Sequence, residues 1–166
     1  MKTSKAGIAL IKTAEGFRET AYWDVDGYSI GYGHHGATAG QRVSREEAER
    51  LLAEDLERVE AAVSRVNPRL SQNQFDACVS LAYNIGTGRF GRSNTALLIA
   101  ADATPRPELE REWKEWRLAG GKVSQALVDR REKEWALYCR TTAGSLMLGI
   151  AAGVLAVGAA SIIALS

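Results

Sequence analysis

The segment EGFRETAYWDVDGYSIGYGHHG, Glu15–Gly36, decides how this chain is read. It places one acid, Glu15, nine residues before another, Asp24, among glycines and aromatics. ETAYWD and YSIGYG alternate aromatic or β-branched residues with polar ones on either side of Asp26-Gly27, the pattern of a hairpin. Ahead of it, Ser4 to Glu15 repeats Ile8, Ile11 and Ala14 on one side, which predicts a helix stopped by Gly16. Glu15 then sits at the negative end of a helix dipole, which disfavours a second negative charge. Partial burial against Phe17 or Tyr22 would act in the same sense, as a general acid requires. Asp24 falls at a strand end, where turn amides and water can solvate its charge. Two carboxyls in contrasting surroundings suit protonation of a leaving oxygen by one while the other assists attack. The same spacing also fits a plainer arrangement, with Glu15 paired to Arg18 and Asp24 opening an Asx-type turn.

Ser29 bears on that choice. If the hairpin closes over a four-residue loop, Val25 to Tyr28, Asp24 and Ser29 oppose each other with Cβ atoms about 5 Å apart. A hydroxyl beside a carboxylate could then hold a water. His34 to Gly40 reads as a glycine-containing loop.

Beyond the hairpin the chain reads as helices. Ser44 followed by Glu47 is a capping box opening a helix to about Ser64, with Ala48, Leu51, Leu52, Leu56, Val59 and Val63 turned inward. Asn67-Pro68 ends it. Ser71 and Gln74 repeat the box for a helix running to Ile85 and stopping at Gly86. Shorter helices are predicted over Thr95–Asp102 and Glu108–Leu118, with a last one over Gln125–Tyr138 after a Gly120-Gly121 break. Trp113, Trp116 and Trp135 lie at helical spacing and are assigned to the core, as is Cys78. The prediction is an α+β fold, mainly α.

The 166 residues carry 21 Lys plus Arg against 20 Asp plus Glu, a net charge of +1 without a basic cluster, so no nucleic-acid partner is expected. The two cysteines make neither a disulfide framework nor a metal site, and no cofactor is implied. The apolar run Ala6–Ile11 is too short for a signal peptide and is assigned to the first helix. Ala143–Leu165, in contrast, is 23 residues without a charge. As a helix it would be about 34 Å long, enough to cross a lipid bilayer. Gly149 and Gly153, with Ala152, Ala156 and Ala160, offer small residues at the spacing that lets membrane helices self-associate. Arg130, Arg131, Lys133 and Arg140 precede this run, and positive-inside asymmetry then places the preceding domain on the cytoplasmic side.

The pattern E-G-F-R-x-x-A-Y-x-D-x-x-G-x-x-I-G-Y-G-H resembles the signature of bacteriophage-type lysozymes, glycoside hydrolase family 24. QNQFDACVSLAYNIGTGRF, from Gln72 to Phe90, is similar to that family's central helix and following loop. ALVDRREKEWALY, from Ala126 to Tyr138, is similar to its closing arginine-rich helix. The resemblance implies a two-lobed domain over residues 1–141: a small lobe with the hairpin, a helical lobe, a long connecting helix, and peptidoglycan in the cleft between. Residues 142–166 would then be a C-terminal transmembrane anchor in the host inner membrane or a virion membrane.

The implied activity is a muramidase cutting between N-acetylmuramic acid and N-acetylglucosamine, in phage lysis or at the start of infection. Glu15 and Asp24 fall on the family's catalytic acids. Ser29 stands where the family usually has a threonine, one residue farther from the aspartate. His34 is expected to be structural, and His35 to line a sugar subsite. Tyr83 and Ser93 fall where the family meets the sugar chain, although packing serves equally well for each. The alternatives are a lytic transglycosylase on the same bond and a non-catalytic murein-binding membrane or virion protein.

Overall fold

The structure, a computed structural model, describes residues 1–24 and 27–141. Helix α1 (Lys5–Glu15) leads into a three-stranded antiparallel sheet of β1 (Arg18–Asp24), β2 (Gly27–Gly31) and β3 (His34–Ala37), in that spatial order. Helix α2 (Arg45–Val66) follows, then α3 (Gln72–Ile85), α4 (Thr87–Gly91), α5 (Asn94–Ala101) and α6 (Pro107–Lys114). A two-stranded ribbon, β4 (Leu118–Ala119) and β5 (Lys122–Val123), precedes α7 (Gln125–Tyr138).

The α+β, mainly helical reading holds, with four corrections to the elements. The helix expected over Glu108–Leu118 ends at Lys114, and Leu118 belongs to β4. His34–Ala37 is a strand and not loop; its pairing with β2 is interrupted by a bulge at Gly36, which breaks the alternation that would have marked it. Gly120-Gly121 is the turn of a short ribbon and not a bare break. A short helix, α4, fills Thr87–Gly91. The span expected over 143–165, its self-association and the segment 142–166 as an anchor lie outside the described residues. Among the described residues no helix is long and apolar enough to cross a membrane.

Helix α3 organises the helical lobe. Every residue from Phe75 to Ala82 is buried, and α1, α2, α4 and α7 pack around it. A residue buried on all sides of a helix means surrounding helices, which is why this stretch lacks a polar stripe. Against it stands an aromatic cluster in which the Trp135 ring stacks on Tyr138 at 5.3 Å and Trp113 meets both at a tilt. Trp113 is fully buried and Trp135 nearly so, as expected of core residues, whereas Trp116 lies beyond the end of α6 and is only partly buried against the core.

Helix α2, 22 residues or about 33 Å long, joins the lobes. Its early part packs on β2 and β3, its later part on α3, α4 and α5. At the sheet end Gly31 (φ +66°) lets the backbone approach so closely that a Cβ there would stand 2.9 Å from that of Ala48. The two predicted capping boxes differ. Ser71 and Gln74 complete theirs. Ser44 caps α2 through the Glu47 amide, but the Glu47 carboxylate turns outward to Arg50 instead of back to the cap.

The N-terminal residues are stitched across α2 and α3 by two buried carboxylates. Glu60 accepts from the Thr3 amide and hydroxyl, each at 2.8 Å, and pairs with Lys2 Nζ at 3.0 Å. Asp76 accepts from the Ser4 amide at 2.9 Å and from the Ser4 hydroxyl. This fixes the origin of α1, and therefore where its far end, Glu15, emerges.

Candidate functional site

A cleft of about 340 Å³ opens between the sheet and the helical lobe. Glu15 reaches it from the end of α1 and Asp24 from the end of β1, so two residues adjacent in the sequence pattern meet again in one groove. Tyr22, two residues before Asp24 on the same strand face, joins them, with His35 from β3 and Tyr83 from α3. The backbone supplies part of the floor. Gly33 (φ +92°), between β2 and β3, lies so close that a Cβ would stand 3.7 Å from Glu15 Oε2 and 3.9 Å from the Tyr83 hydroxyl.

The surroundings of Glu15 differ from those expected of it. Its partner is neither Arg18, which lies over the Tyr22 ring at 5.5 Å, nor an apolar wall. Arg130 Nη1, which is not part of the cleft lining, donates to Glu15 Oε1 at 2.7 Å from the helical lobe behind it. The guanidinium is itself buried: its Nε donates to Glu134 Oε1 at 3.0 Å and its Nη2 to the Ser80 carbonyl at 3.1 Å. Glu134, fully buried, also accepts from Ser80 Oγ at 2.7 Å, Trp113 Nε1 at 3.2 Å and Arg131 Nη2 at 3.1 Å. A buried carboxylate with this many donors is one whose desolvation is met by hydrogen bonds. The consequence at the cleft is directional. Oε1 of Glu15 is occupied by Arg130, while Oε2 faces Gly33 and the groove.

The tyrosines report the charge in the groove. Burial pushes the Tyr22 phenol above its ordinary value, and the charges of Asp24 and Glu15 push it further, as expected for a ring near both acids. Tyr83 is also pushed up, first by burial and then by Asp55 and Glu15. Its hydroxyl donates to the Tyr32 carbonyl at 3.0 Å. Both phenols therefore stay protonated at neutral pH; the Tyr83 proton is already given to the Tyr32 carbonyl, which leaves its oxygen as an acceptor for a ligand.

Ser29 is not where the loop count put it. The hairpin closes more tightly, with Asp24 opposite Gly27 and Tyr22 opposite Ser29. Asp24 and Ser29 keep one face of the sheet but stand diagonally, not opposed. Ser29 is fully buried and is not among the cleft-lining residues; its Oγ lies 3.2 Å from His35 Nδ1, and it touches the Tyr22 phenol. His34, by contrast, ties the sheet to α2 through Nδ1 and Asp55 Oδ2 at 2.8 Å. Ser93 also stands apart from the cleft lining. Its Oγ accepts from the Ala96 amide at the start of α5 and donates to the Phe90 carbonyl at 2.7 Å.

Several cleft residues escaped the sequence reading: Asp55 and Arg58 on α2, Asn84 on α3 and Thr87 on α4. Arg130 did too, although it carried a signal. Arg130 and Glu134 stand four apart in RREKE, the spacing of a helical ion pair. The sequence reading places Arg130 in the arginine-rich helix and among the charges preceding the tail without pairing it.

The chain matches the family model for phage lysozyme over residues 12–134. It is 42% identical over 147 residues to an endolysin of Bacillus phage PZA, a match covering 83% of this chain and 55% of that protein. To an endolysin of Salmonella phage P22 it is 37% identical over 153 residues, covering 83% of this chain and 98% of that one. The solved muramidase domain of SpmX from Asticaccaulis excentricus shares the fold with a TM-score of 0.77 at 36% identity, over 84% of this chain and 99% of that one. The chain spans about half the length of the first curated relatives it matches.

Proposed function

The chain belongs to the phage lysozyme family, and from that premise we propose that it is a muramidase hydrolysing the β-1,4 bond between N-acetylmuramic acid and N-acetylglucosamine in peptidoglycan. The observation that carries this reading is the single groove lined by both Glu15 and Asp24. Glu15 protonates the glycosidic oxygen. With Oε1 held by Arg130, the transferable proton belongs on Oε2, the oxygen facing the groove. Asp24, on the strand beside it, assists attack at the anomeric carbon. Tyr22 and Tyr83 supply ring surface and hydroxyls to the sugar chain, and His35 an edge of the same groove. Ser29 is a positioning residue that holds His35 and Tyr22, and Ser93 is a helix cap.

Loss of turbidity from a peptidoglycan suspension tests the assignment. Glu15→Gln is expected to lower the rate about 10²- to 10⁴-fold, the usual contribution of a general acid; full activity in that variant would sink the reading. Asp24→Asn separates hydrolysis from transglycosylation. A large loss fits the two-acid mechanism, whereas an active variant yielding 1,6-anhydro sugars favours a transglycosylase.

We further assign residues 143–165 to a bilayer anchor, supported by their 23 uncharged positions. The anchor brings the enzyme to a membrane facing the wall.

A further inference from the structure

The cleft has a cation that the reaction outlined above does not use. Arg58 lies on α2 and lines the groove, whose other described charges are the carboxylates of Glu15, Asp24 and Asp55. Its side chain is 82% exposed. Arg130, in contrast, is buried, with its donors committed to Glu15, Glu134 and Ser80.

Asp55 sets the aim of Arg58. One of its oxygens meets His34 Nδ1 at 2.8 Å, and the other accepts from Arg58 Nη2 at 3.3 Å, one helical turn along. A carboxylate pinned from β3 thus steers a guanidinium on α2. That group has five donors in a planar fork suited to a carboxylate. Among the described residues its partner is Asp55 alone, so a face of the fork is left to the groove.

We propose that Arg58 binds a carboxylate on the C3 arm of the muramic residue. This rests on the muramidase reading and adds to it a preference within the substrate. A neutral chain of N-acetylated sugars has no need of a guanidinium. Murein differs from such a chain in its lactyl-peptide arms, which carry carboxylates. Asp24 and Asp55 line the same groove, and those arms would be repelled by them unless a cation received them. Arg58 is the exposed cation in the lining, and its solvent exposure makes it a source of selectivity more than of rate.

The test uses the full-length protein carrying Glu15→Gln, which keeps substrate uncut, and three soluble glycan fragments. One bears stem peptides with free carboxylates, one bears amidated stems, and one has its stems stripped to the lactyl acid. Affinity at low salt is expected to be about fivefold higher for a charged fragment than for the amidated one, the scale of an exposed ion pair. Adding Arg58→Gln should bring that ratio to one, Arg58→Lys should restore part of it, and 1 M salt should erase it. In protein with Glu15 intact the preference should appear in KM and not in kcat. Preference for the free-stem fragment alone assigns the contact to the peptide; preference for the stripped fragment assigns it to the lactyl group.

Equal affinities for charged and amidated fragments, or a preference that survives Arg58→Gln at an unchanged melting temperature, would overturn the proposal. The two readings fail separately. A protein that binds with this preference but cuts no strand sinks the muramidase reading. One that cuts every strand indifferently sinks the role of Arg58.

Discussion

Glu15 is held by a buried arginine that is held in turn by a buried glutamate, and the energetic weight of the site lies in the second link. Two guanidiniums, Arg130 and Arg131, converge on Glu134 inside the helical lobe. Charges taken out of water tolerate this only while paired. Glu134→Gln keeps the shape but removes the negative charge facing both arginines, so it is expected to cost about 3–5 kcal/mol, read from urea unfolding. Glu60 offers a pH readout of the N-terminal contacts. Burial pushes its carboxyl up, but the Thr3 amide and hydroxyl and the Lys2 ammonium together hold it below its ordinary value. A carboxyl lowered in the folded state stabilises fully above its unfolded value, about 4.3, and that contribution fades as pH falls through the folded value. Unfolding midpoints measured from pH 6 down to pH 3 should therefore drop less steeply in Glu60→Gln than in the parent; parallel curves would count against it.

The helices differ in how firmly they begin. At Ser71 the capping box is closed on both sides, while at Ser44 the returning half is missing because Glu47 pairs with Arg50. Ser71→Ala should therefore cost about 1 kcal/mol and Ser44→Ala less, compared by thermal melting. These helices were legible in the sequence because each carries its own cap, apolar stripe and stop within one turn of its ends. The strands were less so. HHGA has no alternation, since the Gly36 bulge shifts its register, and β4 and β5 are two residues each around a glycine pair. Likewise Glu15 and Asp24 could be read because they flank one hairpin. Ser29 was misplaced because its partner depends on the number of residues in the turn, and a change of two moves Asp24 from Ser29 to Gly27. The Glu15–Arg130 contact spans 115 positions and leaves no local trace.

The two lobes and the tail pose separate questions, and the described domain bears on the second. Of the four cations preceding residues 143–165, Arg130 and Arg131 are buried in the network behind Glu15, leaving Lys133 and Arg140 at the surface. The positive-inside argument for orientation is correspondingly weaker. Ending the chain after Thr141 is expected to leave the urea midpoint unchanged, since α7 closes at Tyr138 and the Arg140 carbonyl still accepts from Asn73. The same truncation should move the protein from the floating vesicle layer to the supernatant on flotation; equal partition of both forms would remove the anchor. At the opposite end, the carboxylates of Glu60 and Asp76 grip the peptide amides of Thr3 and Ser4, and Gln72 binds the Lys2 carbonyl. None of these uses the terminal ammonium. A fusion partner or purification tag joined ahead of Met1 should therefore be carried without disturbing α1, whereas replacing Thr3 or Ser4 by proline would strip a donor and unseat it.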